Sequence, residues 1–396
     1  MTSSVSSPAR NPDLIGFRSL AGGDLLPVAD YLEGCPCGRA LERPTSVTGV
    51  YKQYPSQLPL RGAKMSEMGE WLPYVRWRGL GEGGTPLLDF TPSAPVGRLL
   101  LKAEWMNPTG SHKDRASPLV LARAVEIGAR GIACASSGNA GVSMAAYAAL
   151  VGLPCRVIVT ASVPASVRGR LALHTADVIE ATSSQNRWSL LATLARDGWY
   201  PATNYSLPAS GSSAWGVEGY RSIALELAAE LPDGIDAVIA PTARGDLIAG
   251  IAQGFAALRE AGLWAHAGPR VVAVEPFPRL TAVLAGDAAV TDEFVGTTRQ
   301  TSIAGSTATD QGLRSIRDTG GTAIVVDDVE AAAAQSALAR QGIALELAAA
   351  APIAALTTLA AQGHLGPKER AVCIATAGID RELAASSVHA KDRVVP

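Results

Sequence analysis

The segment LLLKAEWMNPTGSHKDRASPLVLARAVEI, residues 99–127, passes through three kinds of structure. Its first five residues, 99–103, form a short apolar run and read as a buried strand. Residues 107–113 carry proline, glycine and serine and read as a loop. The stretch that follows reads as a helix ending near residue 127. The same strand–loop–helix order repeats along the chain. Strands are expected at 131–135, 156–160, 177–181, 237–240, 270–275, 322–326 and 371–375. Helices are expected from SSGNAG (136–141) to 150, and at 163–174, 188–197, 218–230 and 247–261. Strands separated by helices of this length imply right-handed βαβ units and parallel sheets. Runs such as GIACA (131–135) and AVCIA (371–375) lack polar alternation, as strands buried on both faces do.

Composition narrows the rest. The 396 residues carry 34 basic and 36 acidic side chains, and 47% are hydrophobic. A disordered chain combines low hydrophobicity with high net charge, and this chain has neither. A nucleic-acid partner calls for a basic surplus, which is missing. One long uncharged stretch, 347–367, is rich in alanine and interrupted by Pro352, Thr357, Thr358, Gln362 and His364. It reads as a small-residue helix inside a core and not as a membrane span. The start, MTSSVSSPARNPDL, has no apolar region of a secretory signal. Five scattered cysteines (Cys35, Cys37, Cys134, Cys155, Cys373) fit a reducing cytoplasm. The first 80 or so residues hold Tyr31, Tyr51, Tyr54, Trp71, Tyr74 and Trp77 with little periodicity, and read as an extension wrapping a core.

In open α/β sheets, ligands lie at the carboxyl ends of strands. Three loops there can carry chemistry. The first is NPTGSHKDR, 107–115. Only six of the 34 basic residues are lysines, and none lies between Lys113 and Lys368. Arginine stays protonated, whereas a lysine that burial and a helix N-terminus deprotonate can attack a carbonyl. The plain alternative is a solvated lysine paired with Asp114. The second loop, SSGNAG at 136–141, offers backbone N–H groups and short donors for a carboxylate or phosphate; an ordinary helix cap has the same residues. The third, PTARGDL at 241–247, can hold a phosphate on backbone amides and Arg244, or be a turn capped by Asp246.

Other motifs fail. GEGGTP at 81–86 has proline where a dinucleotide fingerprint needs its last glycine, which argues against a nucleotide-binding oxidoreductase. No P-loop or nucleophile elbow occurs. Cys35-Pro36-Cys37-Gly38 is half a zinc knuckle with no second half nearby, so no metal is expected.

The order of the three loops, with a hydroxyl residue after the last strand, resembles the fold type II pyridoxal-phosphate enzymes (the tryptophan synthase β family). Within it the likeness is to threonine synthase and its paralogues. It covers about residues 79–382, with family-like segments GEGGTPLL (81–88), ASSGNAGVSMAAYAA (135–149), VEGYRSIALEL (217–227), and Gly342-Ile343 with Glu346. CPCG at 35–38 looks like a decayed form of the cysteine knuckle found at the front of some threonine synthase-like proteins.

The resemblance implies two open, mostly parallel α/β domains with a pyridoxal 5'-phosphate site in the cleft between them, and an N-terminal extension. It places the extension at 1–80, the large domain at 81–125 and 218–396, and the small domain at 126–217. Lys113 would bind the cofactor covalently and move protons. Asn139 would hydrogen-bond its phenolic oxygen, and Thr242, Ala243, Arg244, Gly245 and Asp246 would cradle its phosphate. Thr376 would face the pyridine nitrogen, a neutral partner suited to elimination and replacement. Ser136, Ser137, Gly138, His112 and Thr109 would meet the amino-acid substrate. The implied activity is β/γ-elimination or replacement, from phosphorylated to hydroxy amino acid with phosphate release. Alternatives are a serine/threonine dehydratase-like lyase, a β-replacing synthase on serine or phosphoserine, and a non-catalytic small-molecule-binding relative. A cytoplasmic homodimer is implied, with no membrane or nucleic-acid partner. Three departures stand out. His112 replaces the usual aromatic before the lysine. Ala243, Arg244 and Asp246 enter a loop that is usually glycine-rich. ATSSQNRWS at 181–189 does not match the segment in which threonine synthases often hold their phosphorylated substrate, though Asn186 and Arg187 there could meet an anion.

Overall fold

The computed structural model describes residues 7–91, 96–136 and 138–379. Two open sheets carry the α/β pattern. One is wholly parallel and runs, across its width, Asp177–Ala181, Cys155–Thr160, Gly131–Ala135 and Trp199–Pro201. The other has six strands in the order Thr322–Val325, Arg270–Glu275, Ala237–Pro241, Ala371–Ile374, Leu99–Lys102 and Leu87–Phe90. Its pairings are parallel except the last, where Leu87–Phe90 lies antiparallel to Leu99–Lys102. Every residue of Ala237–Pro241, Ala371–Ile374 and Leu99–Lys102 is buried, which accounts for their apolar sequence, broken only by the ion-paired Lys102.

The sequence reading places most strands to within a residue or two. Within these two sheets it misses Trp199–Pro201 and Leu87–Phe90, and it expects none of the N-terminal strands. The first is three residues long, too short to show a period. The second is a partly exposed edge directly behind Pro86. The helix expected at 218–230 opens as a 3-10 turn, Glu218–Tyr220, before Arg221–Glu230. The alanine-rich stretch forms the helix Leu347–Ala361, with Ala348, Ala349, Ala350 and Ala351 all buried. Among the described residues, no helix is long and apolar enough to cross a membrane.

The N-terminal residues add a three-stranded antiparallel sheet, in the order Leu25–Leu26, Leu14–Ser19, Val47–Tyr51. It docks on the region around residues 214–221. Phe17 meets Trp215 edge-on at 5.2 Å. The Glu218 carboxylate accepts from Thr48 Oγ1 and the Gly49 N–H, both at 3.0 Å, and from Tyr51 Oη at 3.2 Å.

A buried charge cluster lies beneath the loop 107–115. Arg115 and Lys102 have 0% exposure. Arg115 Nη2 donates to Glu104 Oε1 at 2.6 Å and to Glu226 Oε2 at 3.1 Å, and its Nη1 donates to Glu226 Oε1. Lys102 Nζ lies 2.8 Å from Glu226 Oε2 and donates to the Thr85 carbonyl at 2.8 Å. Burial alone would push Glu226 up, but Arg115 and Lys102 reverse this and hold it below the usual carboxylate range. Removing one member strands buried charge, which costs about 3–5 kcal/mol. Arg115→Leu is therefore expected to lower the unfolding free energy by about that amount at neutral pH, read by denaturant titration. A carboxyl held low in the folded state adds stability above its unfolded pKa and loses it as the pH falls. The deficit of the variant should accordingly shrink as the pH drops below the ordinary glutamate range.

Candidate active site

Lys113 sits in a 3-10 turn, His112–Arg115, between the strand Leu99–Lys102 and the helix Ser117–Glu126. Hydrogen bonds fix the turn on both sides. The Asp114 carboxylate accepts from the Thr109 N–H, Thr109 Oγ1 and Ser143 Oγ, each at 2.6 Å. The His112 N–H donates to the Thr376 carbonyl at 2.9 Å, and Nδ1 lies 3.3 Å from the same oxygen. Lys113 Nζ donates to Tyr220 Oη at 3.2 Å. Burial lowers the lysine's pKa, with Arg244 adding to the effect and Asp246 and Glu346 opposing it. Burial also pushes His112 well below the usual imidazole range, aided by the Lys113 charge. The ring is thus neutral near pH 7, and Nδ1 carries the proton given to the Thr376 carbonyl.

Lys113 opens into a cavity of about 650 Å³. The cavity gathers most of the residues expected from sequence. Ser136, Gly138 and Asn139 line it at the start of the helix Asn139–Val151. Ser136 Oγ accepts from the Gly138 N–H at 3.3 Å and the Gly141 N–H at 3.0 Å. Asn139 Nδ2 donates to Glu346 at 3.1 and 3.2 Å, and Ser302 Oγ donates to the same carboxylate at 2.7 Å. Thr242, Ala243, Arg244, Gly245 and Asp246 line it too, as do His112 and Thr376.

Two expected residues stand apart. Thr109 is not among the cavity's lining residues. Its amide and hydroxyl both go to Asp114, so it holds the loop's shape. Ser137 lies outside the described residues. Within the third loop the roles divide. The Thr242 hydroxyl and amide are taken by the carbonyls of Ala240 (3.0 Å) and Val274 (2.7 Å). The Asp246 carboxylate accepts from Ser212 Oγ at 2.6 Å, the Ser212 N–H at 3.1 Å and Gln311 Nε2.

Three features fit pyridoxal 5'-phosphate. The first-turn amides of the helix Asp246–Glu260 have no partner within the helix and open an anion site toward the loop. Gly245 has φ +86°, and a Cβ there would come within 2.4 Å of Gly312 Cα, so the loop can close only around glycine. Arg244 Nε is buried without a hydrogen-bond partner in this cavity wall. The same cavity holds a lysine whose pKa burial lowers.

The sequence reading gave no role to Tyr220 or Trp188. Tyr220 lay in a quoted segment, VEGYRSIALEL, but its phenol was hidden in a core-like pattern. Trp188 and Arg187 both line the cavity, on the helix Ser184–Arg196. Arg187 could be named from sequence only as a side chain able to meet an anion. Residues 301–306 close the cavity and show no period that sequence could reveal. Among the described residues, no group of three or more His, Cys, Asp or Glu is arranged to hold a metal ion.

Residues 79–377 match the family described as "Pyridoxal-phosphate dependent enzyme". Threonine synthase of Methanosarcina acetivorans is 33% identical over 307 residues, 74% of each chain. Threonine synthase of Methanocaldococcus jannaschii is 28% identical over 390 residues, 91% of each. Among solved structures, maize serine racemase aligns with a TM-score of 0.63 at 22% identity, covering 74% of this chain and 88% of that one. The cysteine synthase of Entamoeba histolytica gives 0.62 at 18%, covering 76% and 87%. At these identities the structural likeness is one of fold. With the lysine-bearing cavity and its anion cradle, the family match establishes that the chain belongs to the fold type II pyridoxal-phosphate-dependent enzymes and is a lyase of threonine synthase-like descent.

Proposed function

We propose that this enzyme converts a phosphorylated amino acid into a hydroxy amino acid with release of phosphate, as a threonine synthase does. The observation that carries this reading is a pair of arginines in the wall of the Lys113 cavity. Arg187 and Arg244 both line it, and Arg244 Cζ lies 5.7 Å over the Trp188 ring. Burial lowers the pKa of both guanidinium groups, and for Arg187 the Arg244 charge adds to it. Two cations near each other in a poorly hydrated wall favour dianionic ligands. The cofactor phosphate supplies one such group at the loop 242–246, and the leaving phosphate of the substrate supplies the second.

When bound, pyridoxal 5'-phosphate supplies the electron sink for charge that develops at the substrate's α-carbon. In this reading the protein does the rest. Lys113 Nζ would anchor the cofactor, and its amine would take the substrate's α-proton and later return it. Ser136, Gly138 and the helix start behind them hold the substrate carboxylate. Arg187, beside the cofactor-side Arg244, holds the side-chain phosphate and stabilises it as it leaves. Asn139 and Thr376 orient the cofactor ring. In the same proposal 126–217 forms a small domain, 81–125 with 218–396 a large one, and the site lies between them. It further places the enzyme in the cytoplasm as a homodimer. The family likeness supports the dimer, and the five free cysteines support the compartment.

Several outcomes test this. The purified protein should carry a visible absorbance band that Lys113→Ala abolishes; a wild type that gains no band from added cofactor would refute the cofactor role. Phosphate should be released from phosphohomoserine or phosphoserine, whereas keto-acid release from serine or threonine alone would assign it as a dehydratase. Arg187→Met should raise KM for the phosphorylated substrate about 10- to 100-fold, the loss of one charge-assisted hydrogen bond, with little change in cofactor affinity. A monomer by light scattering would overturn the proposed dimer.

A further inference from the structure

Tyr220 places a phenol directly on the reacting nitrogen. Tyr220 is 2% exposed, and its ring lies 5.6 Å from the His112 ring, tilted by 33°. Its position is fixed by close backbone approach. A Cβ on Gly219 would come within 2.0 Å of the Arg115 carbonyl oxygen, and one on Gly250 within 2.5 Å of Tyr220 Cβ. The phenol is thus held between the helix Asp246–Glu260 and the turn that carries Lys113. Its hydroxyl lies 3.2 Å from Nζ. Phenylalanine would fill the same space, so packing alone does not require an oxygen there.

The charged groups acting on the pair are few. Asp246, Arg244 and Glu346 act on Lys113, and His112 stays neutral beside it. Asp246, Glu104 and Asp114 act on Tyr220. Burial and these three carboxylates keep the phenol protonated throughout. A neutral phenol can serve the amine in either of its states. When Nζ bears its extra proton, N–H donates to the phenol oxygen. When Nζ is neutral, the phenol O–H donates to the nitrogen lone pair.

We propose that Tyr220 is a catalytic residue whose hydroxyl holds Lys113 Nζ in place in both protonation states and raises its affinity for a proton. The proton stays on nitrogen or leaves to another acceptor, and the phenol neither gains nor loses charge. The charged state gains more, because a hydrogen bond to an ammonium is stronger than one to a neutral amine. Without the hydroxyl, burial acts on the amine unopposed from this side, and Lys113 becomes a weaker base for the α-proton.

The test uses the full-length, cofactor-free protein and acetic anhydride as the amine reagent. The pH dependence of Lys113 acetylation is followed by peptide mass spectrometry, with exposed Lys52 as the internal reference and Lys113→Ala as the blank. Tyr220→Phe should move the Lys113 midpoint down by about one pH unit, a roughly tenfold loss of proton affinity, while Lys52 stays put. A midpoint equal to the wild type's overturns the proposal. Fluorotyrosine in place of Tyr220 preserves the side chain's shape and fold; as a poorer acceptor it should shift the midpoint the same way by less, and no shift there overturns the proposal as well. The assay needs no substrate, so its failure is distinct from failure of the phosphate-release reading.

Discussion

The rest of the site depends on a guanidinium that cannot reach water. Arg115 lies at the end of the turn that carries Lys113, and two carboxylates from different parts of the chain satisfy it. Glu104 comes from just after the strand Leu99–Lys102, and Glu226 from the helix Arg221–Glu230. Burial would lower the Arg115 pKa, but Glu104 and Glu226 hold it up. Glu226 reaches further, accepting the Gly84 N–H at 2.9 Å and pairing with Lys102. Each member is costly to bury alone, so the strand, the turn, the helix and the loop around residue 84 are held in one arrangement. Lys113 is two residues from Arg115, and its Cα inherits that fixity. A lysine on a mobile loop would keep its rotamer freedom and its hydration, and with them an ordinary pKa.

With the lysine fixed, strand direction decides what surrounds it. Lys113 follows Leu99–Lys102, Ser136 follows Gly131–Ala135, Thr242 follows Ala237–Pro241, and Thr376 follows Ala371–Ile374. All four loops leave the carboxyl ends of parallel strands, where such sheets collect their ligand groups. Three of these strands are neighbours or near neighbours in the six-stranded sheet, while Gly131–Ala135 belongs to the other. The site therefore draws on both sheets, and Glu346 ties Asn139 to Ser302, both of which line it.

This explains which parts could be read from sequence. Strands buried on both faces announce themselves as apolar runs, and the loops after them hold the candidate residues. Lys113 was legible because lysine is scarce here and the residue follows such a strand. Tyr220 was not, because its partner lies 107 residues away and nothing in VEGYRSIALEL separates a functional phenol from a packed one. The Asn139–Glu346 bond spans 207 residues and leaves no local pattern either. Thr109 misled for the opposite reason. It sits in the most informative loop, yet its donors turn inward to Asp114, and sequence carries no sign of side-chain direction.

Asp246 shows how a residue that looks unfavourable in isolation can fit its surroundings. An acid in a phosphate loop should repel the phosphate. Here its oxygens are occupied by Ser212 and Gln311, so its hydrogen-bonding capacity is directed away from the loop's amides. Its charge still acts at longer range. Asp246 favours the protonated form of Lys113, and Arg244, two residues earlier, disfavours it. The two charges oppose each other at Nζ, leaving burial as the dominant influence on the amine. The loop can thus present a guanidinium to the cavity while Asp246 offsets its effect on Lys113. A glycine-only loop would give phosphate contacts through amides alone, with no such adjustment. Arginine and aspartate flanking Gly245 thus act in opposite directions on the lysine in the same cavity.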